Sequence, residues 1–148
     1  DLIIIGYGKV EEELKDFVLQ EKMNSRVYFL GRISRESLAN YTKKATLGMV
    51  LEEPLGKSFE YSLPNKLFDY IHAELPIIAG NMPEISSVIK QYKVGVMVDG
   101  YSPEKIAEKI NEVLNSPDLI LEIKEHQKKA KEILCWEKEC KKLETYFK

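Results

Sequence analysis

The stretch SFEYSLPNKLFDYIHAELPIIAG, residues 58–80, constrains this chain more than any other, because it passes from a helical to an extended pattern without a break. Pro64 suits the first turn of a helix, where its missing N–H costs nothing, and Ser62 stands where a hydroxyl can cap the exposed donors. Leu67, Phe68, Ile71 and Leu75 recur at i, i+1, i+4 and i+8, the apolar stripe of an amphipathic helix, with Asn65, Lys66, Asp69 and His72 on its other side. Leu75-Pro76 ends that helix. Residues 76–79, Pro-Ile-Ile-Ala, then form a strand with no polar face, the kind covered on both sides in a parallel sheet. The polar start of a helix beside such a sheet is a place to hold an anion.

The same alternation runs through the rest of the chain. Leu2, Ile3, Ile4 and Ile5 make a fully apolar strand closed by Gly6-Tyr7-Gly8-Lys9, and Val10, Leu14, Phe17 and Val18 mark a helix reaching residue 23. Gly6 and Gly8 let the backbone approach a ligand phosphate at the helix start, or simply make a tight turn; the full GxGxxG fingerprint is broken by Glu11. A second strand, residues 26–30, ends at Gly31-Arg32-Ile33, and Ser34 begins a helix with Glu36 in its first turn and Leu38 and Tyr41 inward. Residues 46–51 form a third strand, and the polar loop 52–61 is longer than strand-to-helix connections usually are. After the strand at 76–79, a helix from Pro83 to about residue 92, a fifth strand at 94–98 and a helix capped by Ser102-Pro103-Glu104 follow. From Asp118 onward the pattern is helical to the end, with a bend near Cys135-Trp136.

Five strands separated by helices specify an α/β fold, an open parallel sheet with helices on both faces. Ligands of such sheets bind beyond the carboxyl ends of the strands, so the loops at 6–9, 31–33, 52–66 and 80–84 are expected to share one crevice. Asp1 is not a starting methionine, and an apolar strand beginning at Leu2 belongs in a sheet interior. Both features read as a piece of a longer protein that lacks a flanking first strand.

Composition narrows the function classes. The chain has 148 residues, 44% hydrophobic and 31% charged, as in one soluble globular domain, and its formal charge of −2 offers no basic footprint for nucleic acid. Cys135 and Cys140 fit neither a CxxC motif nor a zinc pair and read as reduced bystanders. His72 and His126 lack the companions of a metal site or a catalytic triad, which leaves them structural or solvated roles and leaves no metal site to name. No charged-then-apolar leader and no apolar run near the ~20 residues of a membrane span is present. With no repeat or exposed apolar stripe, an interaction scaffold has least support.

The blocks LIIIGYGKVEEEL, VYFLGRISRESLANYTKKA, SLPNKLFDYIHAELPIIAGNMPEI, VGVMVDGYSPEKIAEKINEVL and CWEKECKKLETYF, in this order and spacing, resemble the carboxyl-terminal domain of group 1 glycosyltransferases of the GT-B fold. The variant SLPNK resembles members that build bacterial surface polysaccharides, O-antigen and lipopolysaccharide among them. The resemblance implies that residues 1–148 are a nucleotide-sugar-binding domain of a two-domain enzyme, without its amino-terminal acceptor domain and without the first strand that brings an Arg and a Lys to the diphosphate. It also implies a retaining hexosyl- or N-acetylhexosaminyltransferase that uses a UDP-linked donor and needs no cofactor or metal. The implied acceptor is a lipid-linked saccharide, reached from the cytoplasm at the inner face of the cell membrane by peripheral association. Alone, this piece is expected not to turn over.

Carried over residue by residue, the resemblance puts Asp69 where the second of two glutamates meets the donor ribose; a solvated helix face is the plain alternative. The first glutamate falls on Tyr61, eight positions earlier, with Glu60 beside it, and either would face the donor sugar. Ser62, Leu63, Pro64, Asn65 and Lys66 replace a glycine-rich turn at the diphosphate. A lysine in a first helical turn opposes the helix dipole unless an anion compensates, so Lys66 is expected on a phosphate, or else paired with Asp69. Arg32 and Ile33 would flank the nucleotide base, or form a turn only. Trp136 is expected to pack in the core or against the other domain. The departures at Tyr61 and Asp69 keep open a non-catalytic nucleotide-binding module, and the shared architecture keeps open half of a nucleotide-sugar epimerase.

Overall fold

The structure is a computed structural model that describes residues 1–53 and 56–144, with residues 59 and 142–144 described by their backbone alone. It divides into two compact units, Asp1–Tyr41 and the chain from Thr42 onward.

The first unit alternates strand and helix: β1 (Leu2–Ile5), α1 (Glu11–Gln20), β2 (Val27–Gly31) and α2 (Arg35–Lys44), the last running over the boundary. Three glutamates, Glu11, Glu12 and Glu13, fill the first turn of α1, where negative charge meets the positive end of the helix dipole. β1 pairs in parallel with β2, Ile3 opposite Tyr28 and Ile4 opposite Phe29, and the register shifts before Ile5 meets Gly31. β1 is less covered than its composition predicts. Ile3 is 47% exposed and Val18 is the one buried apolar residue of α1, because among the described residues β1 has a hydrogen-bonded neighbour on one edge only.

The second unit holds β3 (Gly48–Val50), α3 (Lys57–Glu60), α4 (Asn65–His72), β4 (Ile77–Gly80), α5 (Pro83–Tyr92), β5 (Gly95–Val98), α6 (Pro103–Leu114), α7 (Pro117–Lys131) and α8 (Trp136–Glu144). Its sheet is parallel, in the order β3-β4-β5, with Val50 opposite Ala79 and Gly80 opposite Val98. Among the described residues the five strands thus form sheets of two and three, where the alternation alone predicts one continuous ladder.

Every residue of β4 is buried, as expected of a central strand with no polar face. Its side chains alternate between two cores. Ile77 and Ala79 pack with Val50, Leu67, Ile71 and Ile85, while Ile78 packs with Val98 and Val113 on the other side. Leu67 and Ile71 supply the buried stripe of α4, so the helix that carries the predicted site is fixed to the sheet by its own apolar face. Gln127 of α7 is fully buried and donates from Nε2 to the carbonyls of Leu75 at 2.7 Å and Val94 at 3.1 Å. Those two carbonyls lie just before β4 and β5, so this amide ties α7 to the amino ends of both strands.

Smaller expectations are corrected here. Pro64 is the cap residue of α4, in extended conformation, and not its first helical residue. Residues 57–60 of the predicted loop coil into one short helical turn. The terminal helix is broken between α7 and α8, as expected, but Trp136 is 69% exposed, which removes the core-packing alternative for it. His72 is exposed and its Nε2 lies 2.8 Å from the Leu134 carbonyl, a structural contact between α4 and the turn after α7. Cys135 and Cys140 are both free thiols.

Candidate functional site

In the second unit the predicted site is built on the first turn of α4. Leu67 and Ile71 bury one side of the helix, which turns Asn65, Lys66 and Asp69 outward: Asn65 and Asp69 are exposed and Lys66 is half-exposed. The extended backbone at Pro64 ends the loop, and the Leu67 amide closes the first turn by donating to the Pro64 carbonyl at 3.0 Å. Tyr61 is 61% exposed and Leu63 is exposed, while Glu60, Ser62 and Pro64 are intermediate. Glu60 ends α3 and Tyr61 follows at once, so both candidates for the missing glutamate precede α4 on one short segment.

Lys66 is paired, and not with Asp69. Its Nζ lies 2.8 Å from Oε1 of Glu52, two residues beyond the end of β3. That contact places the first turn of α4 at the carboxyl end of β3, where ligands of parallel sheets bind. It also supplies the anion that a lysine at this helix position requires. Half-exposed pairs of this kind add ~0–1 kcal/mol, too little to make the pair a keystone of the fold.

Two residues not expected from the pattern complete this edge. Glu52 lies inside the loop marked as long, but nothing local distinguishes it from Glu53. Tyr101, after β5, folds back over Gly80 at the end of β4, where an added Cβ would come within 2.8 Å of its hydroxyl. Burial, with the charges of Glu53 and Glu52 behind it, pushes the Tyr101 phenol above its ordinary range. Burial likewise raises Tyr70, helped by Glu52 and Asp69, so both hydroxyls stay protonated at neutral pH.

In the first unit, Gly6 has φ of 140° and its amide donates to the Gly31 carbonyl at 2.9 Å, joining the two strand ends. Gly8 closes the turn into α1 by accepting from the Glu11 amide at 3.2 Å. Arg32 is exposed and its guanidinium lies 5.8 Å from the centre of the Tyr7 ring, a cation–π stack; Ile33 beside it is half-buried. The structure therefore brings Gly6, Tyr7, Gly31 and Arg32 together in one unit, and Glu52, Lys66, Gly80 and Tyr101 in the other.

Among the described residues no group of three or more His, Cys, Asp or Glu is arranged to hold a metal ion, and no helix is long and apolar enough to cross a membrane.

Residues 1–132 match the family described as glycosyl transferases group 1. The chain belongs to that family. This member of the family is 23% identical over 135 residues to an uncharacterized glycosyltransferase of Methanocaldococcus jannaschii, a match covering 91% of this chain and 36% of the relative. Three solved structures share its fold. WaaG, a glycosyltransferase involved in lipopolysaccharide biosynthesis, is 17% identical with a TM-score of 0.70, over 88% of this chain and 33% of WaaG. HepE of Anabaena, in complex with UDP, is 15% identical with a TM-score of 0.67, over 87% of this chain and 35% of HepE. Sucrose-phosphate synthase from Thermosynechococcus elongatus is 18% identical with a TM-score of 0.77, over 99% of this chain and 37% of the synthase. The fold is accordingly that of a Rossmann-like half of a GT-B glycosyltransferase, and this group 1 chain spans about a third of the length of the relatives it matches.

Proposed function

We propose that this chain is the carboxyl-terminal, donor-binding half of a retaining glycosyltransferase that takes a UDP-linked sugar. The observation that carries the proposal is the position of Lys66: in the exposed first turn of α4, at the carboxyl end of β3. First-turn N–H groups and an ammonium together form a site for a diphosphate, and that charge grows as the glycosidic bond breaks, so the same groups favour departure of the leaving group over binding of the intact donor. No metal is required where protein groups neutralise that charge. Asp69, one helical turn further on and exposed, takes the ribose hydroxyls. Tyr61 or Glu60 faces the transferred hexosyl or N-acetylhexosaminyl group, and Gly6, Gly8, Arg32 and Ile33 serve the nucleotide.

A solved neighbour bound to UDP and another that acts in lipopolysaccharide biosynthesis favour a uridine donor and a bacterial surface-polysaccharide product. The acceptor, a lipid-linked saccharide, would be held by an amino-terminal half that this chain does not contain, with the enzyme cytoplasmic and peripheral at the inner membrane face. Titration of the protein with UDP, GDP and ADP and their sugars tests the donor. UDP is expected to bind most tightly, and Asp69→Ala to lower UDP affinity by about tenfold through loss of charged hydrogen bonds to the ribose. Equal affinities for all three nucleotides, or no effect of Asp69→Ala, would contradict the assignment.

A further inference from the structure

Glu52 and Tyr101 both lie at the carboxyl edge of the second unit's sheet with their hydrogen bonding incomplete. Glu52 uses Oε1 on Lys66, while its Oε2 is buried and has no hydrogen-bond partner among the described residues. The Tyr101 hydroxyl is likewise buried and without a partner among the described residues. Strand register brings the two residues to one place: Val50 lies opposite Ala79, so Glu52 leaves β3 alongside the end of β4, and Tyr101 covers that end at Gly80. Burial, then the charge of Glu53 and after it that of Glu52, raises the phenol, which stays a proton donor at neutral pH. A buried acceptor and a buried donor in one neighbourhood, both unsatisfied, need a reason.

We propose that Glu52 is a positioning residue that hands Lys66 over to the diphosphate of the donor, leaving the ammonium when the anion arrives and accepting a hydrogen bond from the Tyr101 hydroxyl instead. The inference rests on the assignment of the first turn of α4 to the diphosphate. Without donor, Glu52 neutralises a lysine that the helix dipole disfavours. With donor, a carboxylate still on Lys66 would sit as a like charge against phosphate oxygens. Tyr101 gives it a second partner, and the exchange satisfies both unpaired groups. The ammonium is then released only to an anion that outcompetes a single carboxylate, which selects a diphosphate over a monocarboxylic metabolite.

UDP affinity, measured by calorimetry on the unaltered protein and on Lys66→Ala, Glu52→Gln, Tyr101→Phe and the Glu52→Gln/Tyr101→Phe double variant, tests the exchange. Glu52→Gln, which keeps the size of the side chain but loosens its hold on Lys66, is expected to bind UDP roughly fivefold more tightly, and Tyr101→Phe roughly fivefold more weakly. The double variant is expected to match Glu52→Gln, because Tyr101 matters only as the alternative partner of a carboxylate. Local damage to the fold lowers affinity and cannot produce the gain, so the sign of the Glu52→Gln effect decides the question even if Tyr101→Phe folds poorly. Unchanged or weaker binding by Glu52→Gln, or independent effects of the two substitutions, would overturn the exchange and leave Lys66 at the diphosphate. Equal UDP binding by Lys66→Ala and the unaltered protein would overturn both.

Discussion

Replacing Lys66 by alanine is expected to weaken UDP binding about ten- to a hundredfold, which corresponds to ~1.4–2.7 kcal/mol. Two losses combine. A charge-assisted hydrogen bond to a phosphate oxygen disappears. In addition, Glu52, held at 2.8 Å by the Lys66 ammonium, becomes an uncompensated carboxylate at the edge where the anion must sit. Folding stability should change by less than about 1 kcal/mol, since the pair is half-exposed and α4 is anchored by Leu67 and Ile71. Calorimetric titration alongside thermal unfolding separates the effects. A large fall in stability with unchanged UDP affinity would show that Lys66 serves the fold and not the ligand.

The largest effect on stability is expected from Gly95→Ala, a loss of about 3 kcal/mol or more. Gly95 pairs with Ile77 across β4 and β5, and a Cβ there would run into the Ile77 carbonyl oxygen and come within 2.8 Å of the Ile77 Cβ. These are backbone and stem atoms of a fully buried strand, so no side chain can swing aside to relieve the contact. The two strands must separate, which disturbs both cores that β4 joins. Gly8 provides the control: open space surrounds it and its φ is not positive, so Gly8→Ala should change stability by less than about 0.5 kcal/mol. Chemical denaturation of both variants checks the pair, and a Gly95→Ala protein as stable as the parent would mean that the β4–β5 register is wrong.

The elements around β4 were legible because their signal is local. An all-apolar strand of four residues following an i, i+4 stripe has few alternatives, and the structure buries all of Ile77–Gly80 and puts Leu67 and Ile71 inward. β1 has the same composition yet is partly exposed, because burial depends on neighbours that a strand's own residues do not reveal. The division of five strands into two sheets is hidden for the same reason.

At the site, periodicity sufficed to place Lys66 and Asp69 on the polar side of α4. It did not reveal Glu52, fourteen positions before Lys66 and brought to it only by the packing of α4 against the sheet. Tyr101 carried no signal, since its relation to Gly80 depends on the path of the chain after β5. Gln127 is a polar residue in a charged helix, and only tertiary packing shows that its amide bridges Leu75 and Val94. For Trp136 the resemblance left two places, core or the other domain, and its exposure removes the first and leaves the second as it stood.

Amide chemical shifts of the isotopically labelled protein, followed by NMR during titration with UDP, locate the diphosphate most directly. Among the described residues the second unit has helix starts at Lys57, Asn65, Pro83, Pro103, Pro117 and Trp136, and the first turn of a helix leaves N–H groups without intrahelical partners. If the first turn of α4 grips the diphosphate, Asn65, Lys66 and Leu67 will show the largest shifts in that unit, and in Lys66→Ala those shifts will require about ten- to a hundredfold more UDP to develop. Shifts centred on the start of α5, α6 or α7, with the α4 amides unmoved at saturation, would contradict it.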